Sequence, residues 1–187
     1  MKIPEYFKNI ASLSAESERA IISAFKREEL PKGHFLFQQE VICRHIYFIE
    51  QGLARTYAIS DSGREVTNWF FPENSFLTAI NSFYNSSPAR DFCILTEDSV
   101  VYSMTYSEFK RIVDDQPELA KFCFAVLFEL AKQMTEYINS SKFQTAEDRY
   151  LELVKMHPAI LQRASLGHIA SFLGITQETL SRIRAKK

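Results

Sequence analysis

Between residues 28 and 104 the apolar positions come in short runs, and on either side of that stretch they recur with helical spacing. The runs HFLFQQ, HIYFIEQG, ARTYAIS, EVTNWFF, DFCILT and VVYSM are rich in β-branched and aromatic residues. The turn signals LPKG, EQG and SDSG separate them at intervals of about ten residues. Strands so closely spaced predict an antiparallel sandwich or barrel, because parallel neighbours would need a crossover helix between them. Upstream, residues 1–27 read as short helices, with Ser14 as a cap ahead of Ala20, Ile21, Ile22 and Phe25.

After Met104 the helical period returns. TYSEF is a capping box: the Thr105 hydroxyl can accept from the Glu108 amide, and the Glu108 carboxylate can reach back. Pro117 opens the long helix PELAKFCFAVLFELAKQMTEYINSS, at a position where proline's missing N–H costs little. Leu119, Phe122, Val126, Leu130, Met134 and Tyr137 follow one another with coiled-coil spacing and form the expected dimerisation stripe. Phe124, Leu127, Phe128 and Ala131 lie on another face. A helix apolar on two sides needs two partners, here the β-rich domain and the same helix of a second copy. The polar NSSKFQ interrupts this helix, TAED (Thr145, Asp148) is a second capping box, and Pro158 ends the element it starts. The chain thus divides into a β-rich domain over 1–116, a dimerisation helix over 117–141 and a third unit over 142–187.

That third unit ends on IASFLGITQETLSRIRAKK. Counted outward from Gly174, the residues Ile169, Ala170, Leu173, Ile175, Leu180 and Ile183 fall where two short crossing helices need apolar contacts. Gly174 lies where the first helix must turn with positive φ, and Ser165 and Thr176 can cap the two helices. This register predicts a helix-turn-helix. The outward side of its second helix would carry Gln177, Glu178, Ser181, Arg182 and Ala185. Gln pairs bidentately with adenine, Glu accepts from cytosine N4 and Arg pairs with guanine, so Gln177, Glu178 and Arg182 are the candidate base readers. Thr176, Thr179 and Ser181 are short donors suited to phosphate oxygens at a helix N-terminus, and Arg184, Lys186 and Lys187 add sequence-independent attraction.

Charge sharpens this picture. The chain carries a net −1, but residues 163–187 hold five basic side chains (Arg163, Arg182, Arg184, Lys186, Lys187) against one acidic, Glu178. The remainder has 17 basic and 22 acidic groups, so positive charge is segregated at the C-terminus, as a phosphate-binding surface requires. Cys43, Cys93 and Cys123 form no C-x-x-C pair and read as small buried apolar residues. The four histidines are dispersed, and neither a metal nor another cofactor is expected. No apolar run reaches 18 residues and the N-terminus lacks a signal peptide's apolar centre, so no membrane partner and a cytoplasmic location are expected. A nucleophile elbow, a P-loop and a dinucleotide fingerprint are absent, which argues against an enzyme.

A β-rich domain, a long helix and IASFLGITQETLSRI, in that order, resemble the Crp/Fnr family of bacterial transcription regulators. LPKG, IYFIEQGLARTY and EDSVVYSMTYSEF look like the strand and turn pattern of its roll, and TAEDRYLELV like the segment entering its DNA-binding domain. The resemblance implies an α+β fold: an N-terminal antiparallel β-roll of jelly-roll, cyclic-nucleotide-binding type with flanking helices, a long dimerisation helix and a C-terminal helix-turn-helix. It also implies a homodimer that reads near-palindromic double-stranded DNA, with RNA polymerase and a small-molecule effector as further partners. Two departures stand out. Where cyclic-AMP-binding members carry Gly-Glu and then Arg-Ser, this chain has Thr78-Ala79 and Ala89-Arg90 within FLTAINSFYNSSPARDF, which points to an effector other than cyclic AMP. Phe76, Thr78, Ala79, Phe83, Ala89 and Arg90 are the candidate lining of its pocket. HPAILQRASLGHIA leaves little room for the usual hairpin before the helix pair, so the winged-helix head is expected to be shortened. An alternative is a ligand-sensing or protein-interaction module without specific DNA binding. Trp69, Phe70, Phe71, Phe76, Phe83 and Tyr84 would then line an apolar cavity rather than fill a core.

Overall fold

The computed structural model describes residues 13–185, and within them the turn-punctuated stretch folds as two antiparallel sheets. One has the order β1 (Lys26–Leu30), β8 (Ser99–Thr105), β3 (His45–Gln51), β6 (Phe76–Leu77). The other runs β2 (Phe35–Phe37), β7 (Phe92–Leu95), β4 (Ala54–Ile59), β5 (Glu65–Phe71). Pairing β1 with β8 and β2 with β7 brings the ends of the domain together, which makes it a jelly roll. Leu36, Phe37, Ile49, Ala54, Leu77, Leu95 and Val101 fill the space between the sheets. Cys43 and Cys93 are buried with them, and burial pushes the Cys93 thiol well above its ordinary pKa.

Two strands carry no alternation that the sequence could reveal. β1 is KREEL, an edge strand whose charges pair with one another and with the roll, as in the 2.8 Å ion pair of Arg27 with Glu50. Charge on an edge protects its free backbone groups from another chain, so its polarity is a property of its place in the sheet. β6 is only two residues long.

The helices follow their local signals. α1 (Ala15–Ala24) is capped by Ser14, whose hydroxyl accepts from the Ser17 amide. After the short α2 (Ile80–Asn85), α3 (Tyr106–Asp115) carries the reciprocal capping box of Thr105 and Glu108. α4 (Pro117–Phe143) starts at the proline and runs two residues past the expected end. α5 (Ala146–Met156) has the second capping box, Thr145 with Asp148. α6 (Pro158–Arg163), α7 (Leu166–Phe172) and α8 (Gln177–Ala185) complete the described chain. The segment before α7 is helical, so among the described residues no hairpin precedes the helix pair. None of these helices is long and apolar enough to cross a membrane.

The stripe expected to dimerise is corrected by the packing of α4. Leu119 and Phe122 are buried inside their own chain with Ile21, Phe25, Phe48, Met104 and Ile112, and Val126 leans on the same cluster. Leu130 is half-buried, and Tyr137 stacks on Phe172 and meets Trp69 edge-on. Of the six, only Met134 is left exposed. The bare side carries Phe124, Leu127, Phe128, Met134 and Ile138. Spacing shows that both faces are apolar, but the roll selects which of them it covers. Phe122→Ala is expected to cost about 3–5 kcal/mol, because it opens a cavity under the roll. Phe124→Ala, at a side chain 71% exposed in one chain, is expected to leave monomer stability within about 0.5 kcal/mol. Urea unfolding of the two variants checks the difference.

Candidate nucleic-acid interface

α7 and α8 meet at Gly174, whose φ of +67° provides the left-handed turn that the sequence requires there. Ser165 accepts from the His168 amide at 3.1 Å and Thr176 from the Thr179 amide at 3.2 Å, so both helices begin with a satisfied donor. Ile169, Ala170, Leu173, Leu180 and Ile183 are buried between the helices, with Ile175 partly covered. One side of α8 is therefore sealed, and Leu180 has no exposure at all.

The other side is open. Gln177, Glu178, Ser181, Arg182 and Arg184 are exposed, and the three candidate base readers lie on this surface together. Arg182 Nη2 donates to Thr179 Oγ1 at 3.2 Å, and Thr179 Oγ1 also accepts from Thr176 Oγ1. The Glu178 carboxyl is held below its ordinary pKa, first by its own backbone amide, then by the Thr176 hydroxyl and the charge of Arg182. Gln177 extends back over α7: a Cβ built on Gly167 would stand 2.8 Å from its Nε2. Lys186 and Lys187 lie outside the described residues.

Several residues hold this head against the roll, and no local pattern in the sequence marked them. Arg163, counted above with the basic tail, is turned away from it. Its Nη1 and Nη2 donate to the two carboxylate oxygens of Glu73 at 2.8 Å, and its Nε donates to Glu97 at 3.2 Å. A further contact joins Nη2 to Glu97. Arg149 donates to the Ser141 carbonyl at the end of α4 and to the Leu173 carbonyl at the turn. Ser171 on α7 accepts from the Thr67 amide on β5, whose outer edge has no neighbouring strand. Leu53 and Phe70 on the roll belong to the same apolar cluster as Leu153, Ile169 and Leu180. Arg55, 3% exposed, lies 4.3 Å from the centre of the Tyr57 ring, donates to Thr67 and pairs with Glu65, which also leaves His168 beside a buried cation. Burial and that cation hold the His168 imidazole below its ordinary pKa.

The six residues expected to line an effector pocket are not brought together. Phe76 packs on Phe48 and Phe25, Ala79 and Ala89 belong to the interior of the roll, and Phe83 meets Tyr106 and Phe109. Thr78 donates to the His45 carbonyl at 2.9 Å, and Arg90 is exposed. The six thus turn to separate surroundings rather than to one another. Trp69 and Phe70 face the C-terminal head and Tyr84 is exposed, so the aromatics of this region line no common cavity either. A hollow of ≈ 220 Å³ does lie nearby, among Arg44, His45, Ser82, Phe83 and Tyr106, and shares only Phe83 with the expected set.

Residues 27–116 match the family model of the cyclic nucleotide-binding domain. The transcriptional activator protein Anr of Pseudomonas protegens is 23% identical over 184 residues, covering 92% of this chain and 75% of that protein. Among solved structures, the c-di-GMP-responsive global regulator CLP of Xanthomonas campestris superposes with a TM-score of 0.72 at 18% identity, over 92% of this chain and 91% of the other. FixK2 of Bradyrhizobium japonicum gives 0.73 at 18% identity, over 87% and 83%. A protein of Eubacterium rectale assigned to the crp/fnr family gives 0.72 at 17%, over 97% and 87%. The chain shares the fold of Crp/Fnr-type transcription regulators over nearly its whole described length. At the positions where the sequence departs from the cyclic-AMP-binding pattern, Ala79 has no carboxylate for a ribose hydroxyl, Ala89 is 2% exposed and apolar, and Arg90 projects into solvent.

Gly167→Ala tests the seating of Gln177. Alanine suits a helix better than glycine, so stability is expected to hold or to rise by up to about 1 kcal/mol. The displaced side-chain amide of Gln177 is expected to shift its NMR resonances while those of the α7–α8 core stay in place.

Proposed function

We propose that this chain is a regulator of Crp/Fnr type: a homodimeric, sequence-specific DNA-binding protein that reads a near-palindromic duplex with α8. The observation that carries the reading is the two-sidedness of α8. Leu180 and Ile183 fix it against α7, while Gln177, Glu178, Ser181 and Arg182 stand free on the opposite side. A helix held so, with hydrogen-bonding side chains projecting from its first turns, suits the major groove. Thr176, Thr179, Ser181 and Arg184 would hold phosphates around its N-terminus and last turn, and the charges of Lys186 and Lys187, outside the described residues, would add to the attraction.

Two copies would join through α4. Phe124, Leu127, Ala131, Met134 and Ile138 are spaced alternately by three and four residues, the seam of a parallel coiled coil, and all five are exposed in the single chain. Phe128 flanks the seam. This set replaces Leu119, Phe122 and Tyr137, which are engaged within the chain. A two-fold axis along that seam would present two α8 helices to successive major grooves, about 34 Å apart. A small-molecule effector and RNA polymerase enter this reading through the family resemblance. Any effector must bind two dimer states unequally, since equal affinity shifts nothing.

Selection from a random duplex pool tests the DNA reading. A two-fold symmetric motif is expected, and Arg182→Ala is expected to relax one base per half-site by roughly 1–3 kcal/mol. Recovery of no enriched motif, at low salt and with candidate effectors present, would overturn it. Leu127→Asp tests the seam: an unpaired carboxylate buried on each side costs several kcal/mol, so this variant is expected to sediment as a folded monomer.

A further inference from the structure

Arg163 is the last residue of α6, at the entrance to the reading head, and its guanidinium closes on two carboxylates that belong to the roll. Glu73 follows β5 and Glu97 lies in the turn between β7 and β8, so the clasp spans 90 and 66 positions of chain. The Glu73 carboxylate is held from a second side, since its Oε1 also accepts from the Gly52 amide at 2.9 Å. The turn that carries Glu97 is tied by the Ser99 hydroxyl, which donates to the Glu97 carbonyl at 2.8 Å. Burial alone would push the Glu73 carboxyl up, but Arg163 and the Gly52 amide together bring it below its ordinary pKa. A planar fork that donates to two fixed carboxylates allows one orientation, which a point charge such as lysine would not enforce.

Two other attachments stand apart from the clasp. Ser171 satisfies the outward Thr67 amide of the edge strand β5, and Arg149 ties the end of α4 to the turn of the helix pair. Phe172 is wedged between Trp69 of the roll and Tyr137 of α4. The head is thus fixed to both bodies that would define a dimer, and it is fixed with Gln177, Glu178, Ser181 and Arg182 uncovered. The docking leaves the reading face free and settles its direction.

We infer that the clasp of Arg163 with Glu73 and Glu97 sets the spacing between the two half-sites that the dimer accepts, which makes Arg163 a specificity-determining positioning residue rather than a phosphate contact. The inference rests on the DNA-binding reading above. With each head locked to its roll, and the rolls related by the α4 seam, the separation of the two α8 helices is built into the polypeptide and is present without a ligand. Base preference within a half-site depends on α8 alone, so the two properties are separable.

The experiment is a selection from duplex libraries in which a fixed half-site is repeated in inverted orientation at every spacing over a range of several base pairs. Wild-type protein, with no added ligand, is expected to favour one spacing by roughly tenfold or more, since a misplaced head loses about half its specific contacts. Arg163→Ala is expected to keep the base preferences within each half-site and to weaken the spacing preference by about threefold, since Ser171, Arg149 and the shared apolar cluster still attach the head while its orientation loosens. Arg184→Ala serves as contrast, because loss of a phosphate contact lowers affinity evenly at all spacings. If wild type selects no symmetric motif at all, the DNA-binding reading itself fails. An Arg163→Ala variant that keeps the wild-type spacing preference overturns the inference, as does one that binds the same spacing more tightly, which would mark the clasp as a restraint. Should Arg163→Ala not fold, judged by circular dichroism melting, the Glu73→Gln, Glu97→Gln pair removes the charges at constant shape and carries the same expectations.

Discussion

The outer surface of the β2–β7–β4–β5 sheet has to be covered, and the C-terminal head is its cover. Leu53 and Phe70 are apolar, Arg55 is a cation with almost no solvent, and β5 offers an edge amide at Thr67. Exposing such a surface would leave apolar area in water and an unpaired strand edge. α5, α6 and α7 close over it, and their own apolar sides become one cluster with the roll. The head therefore folds as a continuation of the roll, which gives the roll and α8 a direct mechanical connection.

The long helix solves a different problem with the same kind of constraint. Its N-terminal half is needed to seal the other sheet, through Leu119 and Phe122 under Phe48 and Met104. Phe124, Leu127, Phe128, Met134 and Ile138, on its other side, are exposed among the described residues. Tyr137 marks the crossing, where the helix touches Trp69 of the roll and Phe172 of the head at once. Three bodies meet at these rings, and a rotation of any one of them would disturb the other two.

Features with a local cause were legible in the sequence. The capping boxes at Thr105 and Thr145, the proline opening α4, the glycine at 174 and the apolar register of the last two helices each act within a few residues of themselves. Six of the strands were legible because alternation and turn residues are also local. β1 and β6 were not, one because its charges belong to an edge and the other because two residues hold no period. The open side of α8 followed directly from its register, so Gln177, Glu178 and Arg182 stand where counting from Gly174 placed them. The surroundings of Phe76, Thr78 and Phe83 were not legible, because alignment to a family motif says which positions correspond and not how their side chains pack.

By itself, then, the sequence determined most of the elements and their order, the caps that start them, and the buried side of the helix pair. Tertiary structure alone decided which face of α4 lies against the roll, and that Arg163 turns to Glu73 and Glu97 while Arg149 turns to two carbonyls. The physical reason is range. A cap or a turn is decided by atoms a few bonds apart, whereas an arginine's partner is whichever acceptor the packed layers bring within 3 Å, from positions that the chain leaves far apart.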